Sequence, residues 1–490
     1  MSLTTESPAD LMGRYEPGGF FDELFGGPAH PAPHTRLIRE RLSRLDFSEL
    51  KRRADDAEKE LYNLGITFLV YFQQQATDRI LPFDIIPRVL SAEEWAHLEA
   101  GIIQRVTALN LFLHDVYHDQ KILKDGVIPA DLVLGNPNFR PQMMGIDVPH
   151  GTYIHINGTD LVRDGDGTFR VLEDNGRVPS GVSYVVENRH MMQRVFPDLL
   201  AGIGIRPVGN YGVKLHEALC QVAPHQGGDD PRVVLLSPGA YNSAYFEHIF
   251  LAREMGVPLV EGRDLVVQDD KVYMKTTDGL AQVHSIYRRI NDDFLDPKAF
   301  NPDSALGVPG ILEAYRKGNV ALANAIGTGV ADDKAVYAYV PRMIRYYLDQ
   351  DAIIPNVETN ICREAEGLKY TLANLDRLVV KPVGEAGGYG ITIGPRAAKA
   401  ELDECRAKLV ADPANYISQP MIPLSVCPTL VEDGIEPRHV DLRPFAITGE
   451  KTWVLPGGLS RVALRKGSLV VNSSQGGGSK DTWVLERPVA

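Results

Sequence analysis

Three groups of residues have side chains suited to holding phosphate and a hard cation. The first lies in residues 378–391, LVVKPVGEAGGYGI. Leu378, Val379 and Val380 form an apolar, largely β-branched run that predicts a buried strand. Lys381 closes that strand, and Pro382 prevents continuation as helix. Gly384, Gly387, Gly388 and Gly390 follow. Their N–H groups can approach an anion closely, with the Lys381 ammonium at the root of the loop. The order GxxGGxG matches neither the P-loop nor the dinucleotide pattern, and a plain turn between two strands would use the same glycines. The second group is Asp160, Glu173 and Asn175. A strand at YIHI (residues 153–156), a DGDG turn (164–167) and a returning strand FRVLEDN (169–175) form a predicted hairpin. That hairpin brings Asp160 beside Glu173 and Asn175, which share a face because they are two apart. The three offer only oxygen, the set magnesium takes when nucleotide phosphates complete its shell. A polar-faced hairpin without a ligand is the alternative. The third group is a pair of loops. GRVPSGVSY offers Arg177, Ser180 and Gly181 to a carboxylate or phosphate, and VVNSSQGGGSKDTWV, flanked by strands, offers Ser473 and Ser474.

Other elements must carry these groups. Residues 1–40 read as an irregular Gly/Pro-containing arm, and 37–75 as largely helical. Ser91 followed by Glu94 is a capping-box signal for a long helix over 92–116. His114 and His118 share a face of that helix, but no third ligand accompanies them. RVVLLSPG, a helix ended by Gly256, and VPLVEG make a strand–helix–strand unit, implying parallel pairing. Arg288, Arg289, Asp292 and Asp293 read mostly as surface ion pairs. Lys334 follows a Gly/Asp loop and gains meaning only if paired with Lys381. A helix over 396–410, a strand carrying Gln419, and a strand over 438–449 carrying Asp441 and Arg443 complete the pattern, with Arg461 beyond.

The chain has 490 residues with 44% hydrophobic and 23% charged content, an ordinary globular composition with room for several cores. Cys220, Cys362, Cys405 and Cys427 form no CxxC pair, which argues against a zinc knuckle or disulfide framework and suits a reducing cytoplasm. No apolar run is long enough for a membrane span, and the first residues have no signal-peptide pattern. A formal net charge of −13 disfavours nucleic-acid and anionic-membrane partners. The expected location is the cytoplasm.

Taken together, YNSAYFEHIFLAREMG, RRINDDFLDP, NAIGTGVADDKAVY, VVKPVGEAGGYG, RHVDLRPF, PGGLSRVAL and VVNSSQGGGSKDTWV resemble the circularly permuted ATP-grasp proteins of type 2, distantly similar to glutathionylspermidine synthase. The resemblance runs from residue 136 to the C-terminus. In ordinary ATP-grasp enzymes the lysine strand and glycine loop precede the metal carboxylates. Here Asp160, Glu173 and Asn175 come first, as a permutation implies.

The resemblance implies a mixed α/β, circularly permuted ATP-grasp fold in four parts. These are an N-terminal arm and helical region (1–135), a metal-hairpin segment (136–205), an α/β subdomain (206–330) and a nucleotide-binding lobe (331–490). It implies ATP and Mg²⁺, with Lys334 and Lys381 on the phosphates and Gly384, Gly387, Gly388 and Gly390 as a lid. Gln419 would face adenine, although Pro420 stands where relatives often have an acidic residue. Asp160, Glu173 and Asn175 match the metal ligands, and Arg461 an arginine near the transferred phosphate. Arg177 and Ser180 lie where relatives receive the acceptor. The implied activity is ADP-forming amide synthesis, through an acyl phosphate, between a small-molecule or peptide carboxylate and an amine. The alternatives are a non-catalytic ATP-binding regulatory or assembly protein and a small-molecule kinase.

Overall fold

The computed structural model describes residues 12, 14–27, 30–72, 75–224, 228, 230–383, 390–469, 471 and 476–487. The loop glycines Gly384, Gly387 and Gly388, and Ser473 and Ser474, lie outside these. The main sheet has nine strands. Its path runs Thr452–Val454, Phe445–Thr448, Ile156–Arg163, Gly434–Arg443, Leu459–Val462, Gly478–Val484 and Phe83–Leu90, with Phe169–Asn175 and Val426–Val431 attached at the sides. All pairs are antiparallel except the last on the path, between Gly478–Val484 and Phe83–Leu90. The so-called helical N-terminal region therefore contributes a strand to this sheet.

A four-stranded antiparallel sheet carries the lysine strand Leu378–Pro382 between Tyr416–Pro420 and Thr392–Ile393. A second four-stranded sheet, wholly parallel, contains Val233–Leu236 and Leu259–Val260 joined by the helix Tyr245–Met255. Gly256 ends that helix at φ +69°, the left-handed turn that glycine accepts without strain. Among the described residues no helix is long and apolar enough to cross a membrane.

The long helix spans Ala92–Val116, and both capping-box bonds between Ser91 and Glu94 are present. Ser91→Ala removes the side-chain acceptor of the Glu94 N–H; unfolding titrations are expected to show a loss of about 1 kcal/mol. Trp95, Leu98, Ile102 and Val106 pack from this helix against Leu161, Phe169 and Val171 of the hairpin. Buried Arg105 reaches further and donates to both oxygens of Asp174 at 2.7–2.9 Å. Glu173 and Asn175 thus flank a residue clamped to the helix.

The structure corrects three expectations. Helix ends at Asn63, and Thr67–Phe72 pairs with Gln75–Ile80 as a hairpin; TFLVYF is rich in β-branched and aromatic residues, which favour strands. The YIHI segment is not a strand until Ile156. Asn110 Oδ1 accepts from the Tyr153 and Ile154 N–H groups at 2.8 Å, and Asn324 Oδ1 from those of His155 and Ile156 at 2.7 Å. Side-chain amides take the place of a partner strand. Finally, Arg288, Arg289 and Asp292 are buried. Arg288 donates to the carbonyls of Asn324, Ile290 and Ala325 at 2.6–2.8 Å, so it holds a loop together instead of decorating a surface.

Candidate active site

The hairpin determines where the acidic residues stand. Asp160 lies directly opposite Glu173, and Gly158 opposite Asn175. Beyond that point the register shifts, Leu161 facing Val171, so that Leu172 is an extra, bulged residue. The bulge reverses the alternation. Glu173 and Asn175 project to the polar side, whereas Val171, which would share their face in an unbroken strand, enters the core with Leu161.

Two arginines from neighbouring strands meet the buried Asp160. Arg443 binds both of its oxygens, through Nε and, at 2.8 Å, through Nη2. Arg461 donates Nη2 to Asp160 Oδ2 at 2.7 Å, and grips Asp441 with Nε at 2.9 and 3.0 Å and with Nη2. Burial alone would raise the Asp160 carboxyl; the Arg443 and Arg461 charges override it and hold the group ionised below the usual carboxylate range. Glu173 is 3.8 Å from Arg443. Burial, then the Asp160 charge, raise its pKa, against the pull of Lys334 and Arg443.

Lys381 approaches from the other sheet. Its Nζ donates to Gln419 Oε1 at 2.6 Å. Burial lowers it to about 8, with Lys334 acting in the same direction and Glu173 and Asp160 against. Lys334 opens the short helix Lys334–Tyr337, whose N-cap Asp333 accepts from the Ala335 and Val336 N–H groups at 2.8 and 3.0 Å. Lys334, Lys381, Arg443 and Arg461 thus surround Asp160, Glu173 and Asp441. The cluster has more cations than carboxylates and is suited to a further anion.

A cleft of about 420 Å³ is lined by Asn175, Arg177, Ser180, His248, Arg289 and Asp332, among others. Half-exposed Arg177 lies 3.9 Å from Asp332. Asp332 accepts from the backbone N–H of Gly176 at 2.6 Å and of Arg177 at 3.3 Å; burial outweighs those bonds and raises it to about 7. The Ser180 carbonyl accepts from Arg443 at 3.3 Å, which joins the cleft to the carboxylate cluster.

The structure thus brings together Asp160, Glu173, Lys334, Lys381 and Arg461, with Asn175, Arg177 and Ser180 at the adjoining cleft. Gly181 is occupied from within: its N–H donates to Glu247 at 2.7 Å, and Glu247 also accepts from Ser183 and from Arg289. At φ +109°, with Leu459 2.8 Å from where a Cβ would stand, only glycine fits there. Gln419 is 2% exposed and turns its side chain to Lys381 and Thr359. Gly390, the described end of the glycine loop, has φ +69°.

Sequence reasoning left out Arg443 as a member of the cluster, and Asp332, His248 and Arg289 as cleft residues. Arg443 stands two residues after Asp441 on the same strand face, and Asp332 two before Lys334 in the Gly/Asp loop. Those spacings were the available signals. Arg289 follows the strand Ser285–Arg288 of the parallel sheet, and His248 lies on the helix Tyr245–Met255 that joins two of its strands; no local pattern announces their arrival at this cleft.

Residues 87–463 match the family model for circularly permuted ATP-grasp type 2. An uncharacterized protein of Synechocystis is 53% identical over 474 residues, covering 96% of this chain and 98% of its own length. A putative glutamate–cysteine ligase of Frankia alni is 44% identical over 97% of this chain, which spans only 55% of that longer relative. Among solved structures, a glutathione synthetase-like effector of Globodera pallida aligns with a TM-score of 0.56 at 11% identity, over 90% of this chain and 98% of its own. That likeness concerns the fold. The chain belongs to the circularly permuted ATP-grasp type 2 family.

Proposed function

We propose that the protein is an ADP-forming carboxylate–amine ligase working through an acyl phosphate. The carrying observation is the meeting of Lys381, Lys334, Arg461 and Arg443 with Asp160 and Glu173, beside a cleft holding Arg177 and Asp332. In the first step a carboxylate oxygen of the acid attacks the γ-phosphorus of ATP, and ADP leaves. In the second the amine attacks the acyl carbon, and inorganic phosphate leaves with the electron pair of the broken C–O bond. Neither step needs a covalent protein nucleophile. Lys334 and Lys381 would bind the phosphates, Arg461 would face the transferred phosphoryl group, and Arg177 and Ser180 would orient the acceptor.

Glu173 and Asn175 fit a hard divalent cation. The Asn175 amide nitrogen donates to Gly158 O at 3.2 Å, so its carbonyl oxygen is the remaining ligand atom, and the Glu173 carboxylate stands two residues before it on the same face. Asp160 fits only as it exchanges a bond from Arg443 for the ion. When bound, magnesium would supply charge neutralisation on the β- and γ-phosphates. The Frankia relative's name supports an acid and amine of amino-acid type.

The test is a screen for ADP release over acid and amine pairs, with mass spectrometry of products. Amide formation with stoichiometric ADP is expected. Tight ATP binding without turnover on any pair would favour a binding protein, and a stable phosphorylated product a kinase. A pH dependence follows from Lys381, which is cationic below about 8 in the free protein. ATP affinity measured by calorimetry is expected to weaken as pH rises through that value, because the ammonium is lost.

A further inference from the structure

Lys381 does not stand alone at the end of its strand. Its Nζ donates to Gln419 Oε1 at 2.6 Å; Gln419 Nε2 donates to Thr359 Oγ1 at 2.9 Å; and Thr359 Oγ1 donates to the Val357 carbonyl at 2.9 Å. The direction of this chain is fixed by its far end. A hydroxyl has one proton. With that proton on Val357 O, the Thr359 oxygen can only accept from Gln419, so the amide must present Nε2 to Thr359 and Oε1 to Lys381. The reversed amide would set an N–H against an ammonium, donor against donor.

Val357 is also tied to the other half of the site. Its N–H donates to Val171 O at 2.9 Å, and the Val171 N–H donates to Pro355 O at 2.8 Å. Residues 355–359 therefore run from the strand that bears Glu173 and Asn175 to the amide that holds Lys381. Gln419 is opposite Val379 in the antiparallel pair and is buried.

We propose that Thr359 is a positioning residue for nucleotide binding: it sets the polarity of the Gln419 amide and so aims the Lys381 ammonium, in register with the carboxylate hairpin. One ammonium proton goes to Gln419, and the other two are left to face phosphate oxygens. This rests on the reading that Lys381 binds ATP, so the test needs a readout that does not involve the nucleotide.

Two measurements are made on wild-type protein, on Thr359→Val, Thr359→Ser and Gln419→Leu, and on the Thr359→Val/Gln419→Leu double variant. Calorimetry gives the Kd of Mg-ATP. The rate of Lys381 acetylation by acetic anhydride, followed by mass spectrometry of its peptide, gives the freedom of the ammonium without nucleotide. Thr359→Val is expected to raise the Kd about tenfold and to speed acetylation several-fold. Thr359→Ser, which keeps the hydroxyl, is expected to restore both. The Thr359→Val/Gln419→Leu double variant is expected to bind no worse than Gln419→Leu alone, because the two act in series. Wild-type ATP binding and acetylation in Thr359→Val would overturn the proposal, as would equal losses in the valine and serine variants. A wild-type protein that binds no ATP, with acetylation still responding to Thr359, would overturn the nucleotide reading and keep the hydrogen-bond relay.

Discussion

Replacing Lys381 with Met is expected to lower Mg-ATP-dependent turnover by about a hundredfold or more, the loss of roughly 3 kcal/mol of charge stabilisation, with little change in the melting temperature, because relief of the buried charge offsets the lost bond to Gln419. The two halves of this prediction share one cause. Burial costs the Lys381 ammonium part of its hydration, and Lys334 adds repulsion; together they depress its pKa from 10.5 to about 8. A folded-state pKa below the unfolded value means that the folded protein binds the proton less well. The cost to stability is therefore full below about 8 and fades as pH rises toward 10.5. At neutral pH the lysine costs stability so that a cation can stand where phosphate arrives. Methionine fills similar volume without the charge. Steady-state kinetics and a thermal melt of Lys381→Met check the two halves separately, and Glu173→Ala should match it in lost turnover. Wild-type turnover in either folded variant would remove that residue from the site.

Arg461→Met is expected to fail differently, by destabilising the fold as well as stopping turnover. Among the described residues Arg461 is the only guanidinium hydrogen-bonded to the Asp441 carboxylate, and it shares Asp160 with Arg443. Both carboxylates are 1% exposed. Removing the arginine leaves Asp441 buried and uncompensated, a change that costs about 3–5 kcal/mol. Denaturant unfolding should show that loss. Arg461→Met combined with Asp441→Leu should recover much of it, since an apolar pair replaces a broken ionic one. Turnover should stay lost in the double variant. Arg461→Lys keeps the charge without the planar fork and should fall between.

How much of this was legible in the sequence depends on whether the deciding signal was local. The helix from Ala92 and the strand Phe169–Asn175 could be read because a capping box and a turn flanked by alternating residues are local. The pairing of Asp160 with Glu173 followed from one hairpin. The burial of Arg288 and Asp292 was not legible, because it depends on a loop near Asn324 closing over them. Likewise Gln419 carried a strand signal, but its partners Lys381 and Thr359 lie on separate segments that only the tertiary fold brings together. The resemblance reached the family through motifs spread along the chain, which alternation and charge alone could not connect.

The bulge at Leu172 has a consequence for how the hairpin can change. The strand carries two phases, one for the core through Val171 and one for the ligand side through Glu173 and Asn175. A single extra residue separates them. Substitution at Leu172 leaves both phases intact. Its deletion would rephase the strand, setting Val171 among the carboxylates or drawing Glu173 into the core. In this segment chain length is under tighter constraint than residue identity.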